Sequence, residues 1–281
     1  AILSLERVIA TYNFFYKDKV YAEDVVLIGS AVLWPNIYAE YKGKKVSIQK
    51  PDKIGNWLNK YFKNSIHDIG QSVSTLSFAV AKAMGCNPII LIGQDLAYTG
   101  GKRHSDETEY QKEEEGAKAD IMIEGANGEM LPSIYVFKLF RDWFERQIIL
   151  FPETTVVNAT EGGALIKGCK YMTFREAIDE YCTSTMDFRL NDVVKPKMLG
   201  NKEKADIISS IIKDLEERKK LFEDIGTKAK RHMKTVKDID TKYDVLTCSK
   251  DTLKTILKKL SRGDKIVQKI NKSETEASIY F

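Results

Sequence analysis

The stretch IILIGQDLAYTGGKRH, residues 89–104, runs from four apolar residues straight into Gln94, Asp95, Tyr98, Gly100, Gly101 and His104. These types suit ligand chemistry. A carboxylate takes up or gives a proton, tyrosine stacks on or hydrogen-bonds a ligand, and paired glycines allow a tight turn. Histidine titrates nearest neutrality, so it can act as a general base or donate to a phosphate. Asp95 and His104 are therefore the candidate catalytic residues, with Gln94 and Tyr98 as ligand contacts. The same residues would also make an ordinary polar surface loop capped by an aspartate.

Two further clusters share this character. In DIGQSVSTLS, residues 68–77, Gly70 and Ser72 lead a Ser/Thr-rich stretch that opens a helix. Backbone N–H groups at a helix N-terminus, flanked by hydroxyls, are a natural cradle for phosphate, although serine and threonine are also good N-caps. In NATEGGALIKG, residues 158–168, Asn158 and Glu161 precede Gly162 and Gly163. Glycines there permit close approach to a ligand and the acid can bind a sugar hydroxyl; the alternative is a plain strand-to-helix turn. His67 and His232 read as a loop histidine and an exposed helix histidine. The acidic run 113–115 reads as part of a solvated loop. Cys86, Cys169, Cys182 and Cys248 stand singly without CxxC or CxxH spacing, which argues against a metal site and against a disulfide framework, and points to a reducing cytoplasm.

Such loops need a scaffold. DVVLIGS, residues 24–30, and IILIG, residues 89–93, are short apolar runs that stop at glycine, as strands buried on both faces of a parallel sheet do. Between them, Val73, Leu76, Val80, Ala83 and Met84 recur at helical spacing up to Gly85. A longer aromatic helix follows, with Phe137, Phe140, Trp143 and Phe144 at core spacing, and then a strand at 154–160. Helices alternating with buried strands imply an α/β parallel sheet. Ligands bind such sheets outside the carboxyl ends of the strands, so the apolar run ahead of Gln94 is the strand that delivers the loop.

Beyond about residue 195 the pattern changes. Ile208, Ile211, Ile212, Leu215, Phe222, Ile225, Ala229, Met233 and Val236 form one apolar stripe on a long helix. A second helix from about Ser249 returns after a turn near KDIDTKYD. The expected organisation is an α/β domain over residues 1–195 and a helical hairpin domain over 196–281.

The 281 residues carry 44 Lys+Arg and 40 Asp+Glu, a net charge of +4. Residues 202–281 hold 20 basic and 14 acidic side chains, so the basic surplus belongs to the helical part. No basic-aromatic interleaving or known motif suggests nucleic-acid binding. No apolar run approaches the roughly 20 residues of a membrane span. The chain starts at Ala1 with no leader pattern, so the expectation is a cytoplasmic fragment or processed chain.

GQSVSTLSFAVAKAMGCNPIILIGQDLAYTGGKRH, followed by EGANGEM, FRDWFERQI and NATEGGALIKGCKYMTFREAI, resembles the motility accessory factors, the bacterial flagellin glycosyltransferases. The resemblance covers roughly residues 24–180. It implies a Rossmann-like domain similar to metal-independent sialyltransferases, followed here by the helical hairpin. The implied activity is inverting transfer of a nonulosonic acid, of pseudaminic or legionaminic type, from its cytidine monophosphate (CMP) donor to Ser or Thr of flagellin, in support of flagellum assembly. No cofactor or metal is implied beyond that donor. Matched by motif, Gly70 and Ser72 fall in the nucleotide loop, Gln94, Asp95, Tyr98 and His104 in the donor site, and Asn158, Glu161, Gly162 and Gly163 in its wall.

Two departures qualify this match. The family's upstream GGPSL-type loop is not in this sequence, so the nucleotide site is expected to be N-terminally incomplete. Related sialyltransferases place a catalytic histidine just before the aromatic helix, where this chain has Met130, Pro132 and Ser133. Two other readings stay open: a pterin diphosphokinase-like enzyme of the same superfamily, and a non-catalytic flagellin-binding or export accessory protein.

Overall fold

The computed structural model describes residues 1–17, 19, 21, 23–62, 66–98, 119–185, 189–195, 199–243 and 248–277. The chain divides into two compact units: Ala1–Pro51 with Ser65–Pro196, and Asp52–Asn64 with Lys197–Phe281.

The first unit is α/β. Strand β1 (Ile2–Ser4) leads to a short helix, α1 (Ile9–Thr11), that widens into a π-type turn at Tyr12–Tyr16. Then come β2 (Leu27–Ser30), α2 (Pro35–Glu40) and β3 (Lys45–Ile48). After α3 (Lys53–Phe62), which belongs to the second unit, follow α4 (Val73–Ala83), β4 (Ile89–Leu91), β5 (Ile121–Glu124) and β6 (Met130–Ser133). The unit closes with α5 (Tyr135–Leu150), β7 (Val156–Asn158), β8 (Lys170–Tyr171), α6 (Phe174–Tyr181) and α7 (Leu190–Val193). The strands form a parallel sheet β1-β2-β3, a parallel sheet β4-β7-β8 and an antiparallel ribbon β5-β6.

One core serves both parallel sheets: Ile28 of β2 and Leu91 and Val156 of β4 and β7 share a cluster with Leu76 and Phe78 of α4 and Phe144 of α5. All four residues of β2 are buried, which is why DVVLIGS reads as apolar on both faces. The rings of Trp143 and Phe144 meet Phe78 edge-on with centroids 5.7 and 5.6 Å apart. Burying one such ring contributes about 2–3 kcal/mol, so this aromatic contact fastens α4 to α5.

In the second unit α8 (Asn201–Lys242) extends for 42 residues, about 63 Å at 1.5 Å per residue. Helix α9 (Lys250–Ala277) returns alongside it. The Trp57 indole and the Tyr61 hydroxyl of α3 both donate to Asp214 of α8. At the other end His232 is not the exposed helix histidine expected: a Cβ added to Gly263 of α9 would lie 2.2 Å from its Nε2. The backbone of α9 comes that close only because residue 263 is glycine. The expected single stripe also divides, because neighbours such as Ile211 and Ile212 project about 100° apart on a helix. Ile225 and Ile239 are buried, while Ile208, Ile212, Met233 and Val236 are exposed. No helix among the described residues is long and apolar enough to cross a membrane.

Candidate functional site

The segment after β4 is built from backbone constraints. Leu96 is buried yet adopts φ +52°, a left-handed conformation costing an L-residue about 1–2 kcal/mol. Something must hold it. The Ser133 hydroxyl at the end of β6, itself fully buried, donates to the Leu96 carbonyl at 2.8 Å, and the Tyr98 N–H donates to the Pro132 carbonyl at 2.8 Å. Ser133 is thus a structural clamp, at the position where the resemblance placed a catalytic histidine. The Tyr98 ring is buried edge-on against Phe137, centroids 6.2 Å apart.

The segment after β7 closes over the same place. The Ala164 N–H donates to the Asp95 carbonyl at 2.7 Å, and the Gln94 N–H donates to the Thr160 hydroxyl at 3.1 Å. Asn158 is fully buried and accepts from the Thr160 N–H through Oδ1 at 3.0 Å, shaping the turn. Glu161 has φ +62° and accepts from the Phe174 N–H at 2.8 Å, so its carboxylate serves the N-terminus of α6. Gly163 is at φ +74°, and a Cβ there would fall 2.5 Å from the Asp95 carbonyl oxygen. Only glycine lets the two segments touch in this way. Beside it, Gly162 faces open space.

The turn before α4 is fixed in two ways. Ser72 is its N-cap, accepting from the Thr75 N–H at 3.1 Å while its own N–H donates to the Thr75 hydroxyl at 3.0 Å. This capping box is worth about 1 kcal/mol. Gly70, at φ +62°, sits over the same Thr75 side chain. Asp68 then ties the turn to α5: it accepts from the Gly70 N–H at 3.2 Å, the Trp143 indole at 3.0 Å and the Gln147 amide at 3.2 Å. The first-turn amides of Val73 and Ser74 have no helical acceptor, as in any α-helix, and the Ser72 and Ser74 hydroxyls stand 2.9 Å apart.

Direct hydrogen bonds therefore join 94–98 to 158–164. Ile69 and Leu76, which flank the 70–75 turn, share a core cluster with Leu96, Ala97 and Ala164. Asp95 is half-buried between these segments, and desolvation raises its carboxyl above the usual range. Gly100, Gly101, His104 and the acidic run 113–115 lie outside the described residues. The sequence reading missed Asp68, Ser133 and Thr160, whose partners are distant along the chain; only the capping box around Thr75 carries a local signature.

Residues 1–101 match the family model for 6-hydroxymethylpterin diphosphokinase MptE-like proteins. Among solved structures, the MAf glycosyltransferase from Magnetospirillum magneticum AMB-1 is similar at 18% identity with a TM-score of 0.48, over 74% of this chain. This chain spans 29% of that one. No curated protein matches.

Proposed function

We propose that the chain contributes the donor site of a glycosyltransferase that moves a nonulosonic acid from CMP to a Ser or Thr hydroxyl of flagellin. One observation carries the reading: the segments after β4 and β7 meet around Asp95 at the carboxyl ends of parallel strands, the edge where open α/β sheets bind ligands. In the proposed reaction the hydroxyl oxygen attacks the anomeric carbon. The bond to the CMP phosphate breaks, and the electron pair leaves with the phosphate. The α4 N-terminus with Ser72 and Ser74 receives that phosphate. Asp95 and His104 are assigned to take up the hydroxyl proton. Asp95 suits the task, because a carboxyl raised by burial is a better base than an exposed one. No metal or cofactor is assigned.

The match of residues 1–101 to the MptE-like model favours a second reading, a diphosphokinase that binds ATP at the same edge. Calorimetric titration with CMP and with ATP separates the two. Saturable CMP binding, weakened about tenfold by Asp95→Ala or His104→Ala, supports the transferase. ATP binding without CMP binding supports the kinase. Binding of neither overturns both and leaves a protein that only holds flagellin.

A further inference from the structure

Helix α8 carries a second apolar seam, exposed among the described residues. Ile208, Ile212, Leu215, Phe222, Met233 and Val236 are all exposed, from 37% at Phe222 to 60% at Met233. Their spacings of 4, 3, 7, 11 and 3 residues resolve into steps of three and four, the repeat by which helices wrap one another. The inner seam one position earlier is already used, with Asp214 bound by α3, His232 under Gly263 and Ile225 and Ile239 buried.

Gly226 sits on the exposed seam, inside a 42-residue helix. Glycine there costs about 1 kcal/mol relative to alanine, and a Cβ would meet nothing within 4 Å. No packing within the described chain calls for that gap. Along one flank of the seam, Glu216, Glu223, Lys230 and Lys237 recur every seven residues. The flank is acidic toward the N-terminus and basic toward the C-terminus. Two such helices running antiparallel set this flank against itself, acid opposite base; running parallel, it would face the partner's other flank, where Ile225, His232 and Ile239 already pack within the chain.

We infer that α8 pairs antiparallel with α8 of a second copy of this chain. Setting Phe222 of one copy over Gly226 of the other fixes the register. Ile212 then meets Val236, Leu215 meets Met233, and Glu216 faces Lys230, each twice by symmetry. The two Glu223 carboxylates face each other at the axis, the one like-charged contact on this flank.

Sedimentation equilibrium of the 281-residue chain across the micromolar range tests this. A dimer of twice 32.0 kDa is expected. Gly226→Gln fills the gap while improving helix propensity, and should weaken dimerisation about tenfold or more without lowering the thermal midpoint of the monomer. Glu216→Lys and Lys230→Glu should each weaken it, and the double reversal should restore it. A chain monomeric throughout overturns the inference, as does a dimer indifferent to Gly226→Gln. A dimer weakened by the single reversals and not rescued by the double overturns the antiparallel register.

Discussion

Asp95 carries its charge against its surroundings. Desolvation raises its folded pKa, so between the unfolded carboxylate value of about 3.9 and that raised value the folded state binds more protons than the unfolded one. Stability contributed by this group therefore falls as pH rises through the window. Asp95→Asn should raise the thermal midpoint at pH 7, and the gain should vanish below about pH 4; the same substitution should weaken CMP binding, by no more than the roughly tenfold expected of Asp95→Ala. Thermal unfolding against pH, beside calorimetry, checks both. A variant that is more stable and equally competent would remove Asp95 from the site. Asp214 is the opposite case. Burial would raise its carboxyl, but hydrogen bonds from Trp57, Tyr61 and Arg218 hold it below the usual range, so its stabilising effect is present at neutral pH and is lost in acid.

Between elements, the close contact at Gly163 decides whether the segments after β4 and β7 can share a site. Gly163→Ala would set a methyl 2.5 Å from the Asp95 carbonyl oxygen at φ +74°. The expected cost is about 1–3 kcal/mol, with loss of CMP binding; chemical denaturation and calorimetry read the two effects separately. This scale also divides what is legible in the sequence from what is not. Leu27–Ser30 and Ile89–Leu91 read as strands because burial on both faces leaves an unbroken apolar run, and Val73–Ala83 reads as a helix from its periodicity and cap. The site segments are legible as polar, glycine-bearing stretches at strand ends. Their clamps are not: Ser133 and Leu96 are 37 positions apart, and Gln94 and Thr160 are 66, so no window along the chain contains both partners. Helix α3 escapes for the same reason. Its buried Trp57 stands in the short stretch KIGNWLNKYF, and the acid that receives its indole is 157 positions away.

Across the whole molecule, the second unit is discontinuous, since α3 leaves the first unit's sequence to join α8 and α9. Asp214→Ala would remove the acceptor that the Trp57 indole and the Tyr61 hydroxyl share. The expected cost is about 2 kcal/mol or more at pH 7, shrinking in acid as the carboxylate's contribution disappears from the parent chain. Urea unfolding at two pH values checks this, and an equal deficit at both would show that the charge contributes nothing. The same arrangement sets a timetable for biosynthesis. A ribosome adding about 5–20 residues per second releases Trp57 about 8–30 s before Asp214, which follows 157 residues later. Through that interval the α3 helix is in solution without its acceptor, while the sheet on either side of it in sequence is free to close. The nascent chain thus carries α3 past the completion of its first unit before Asp214 has been made, and slower translation lengthens the time in which a chaperone, or a neighbouring nascent chain, can reach it first.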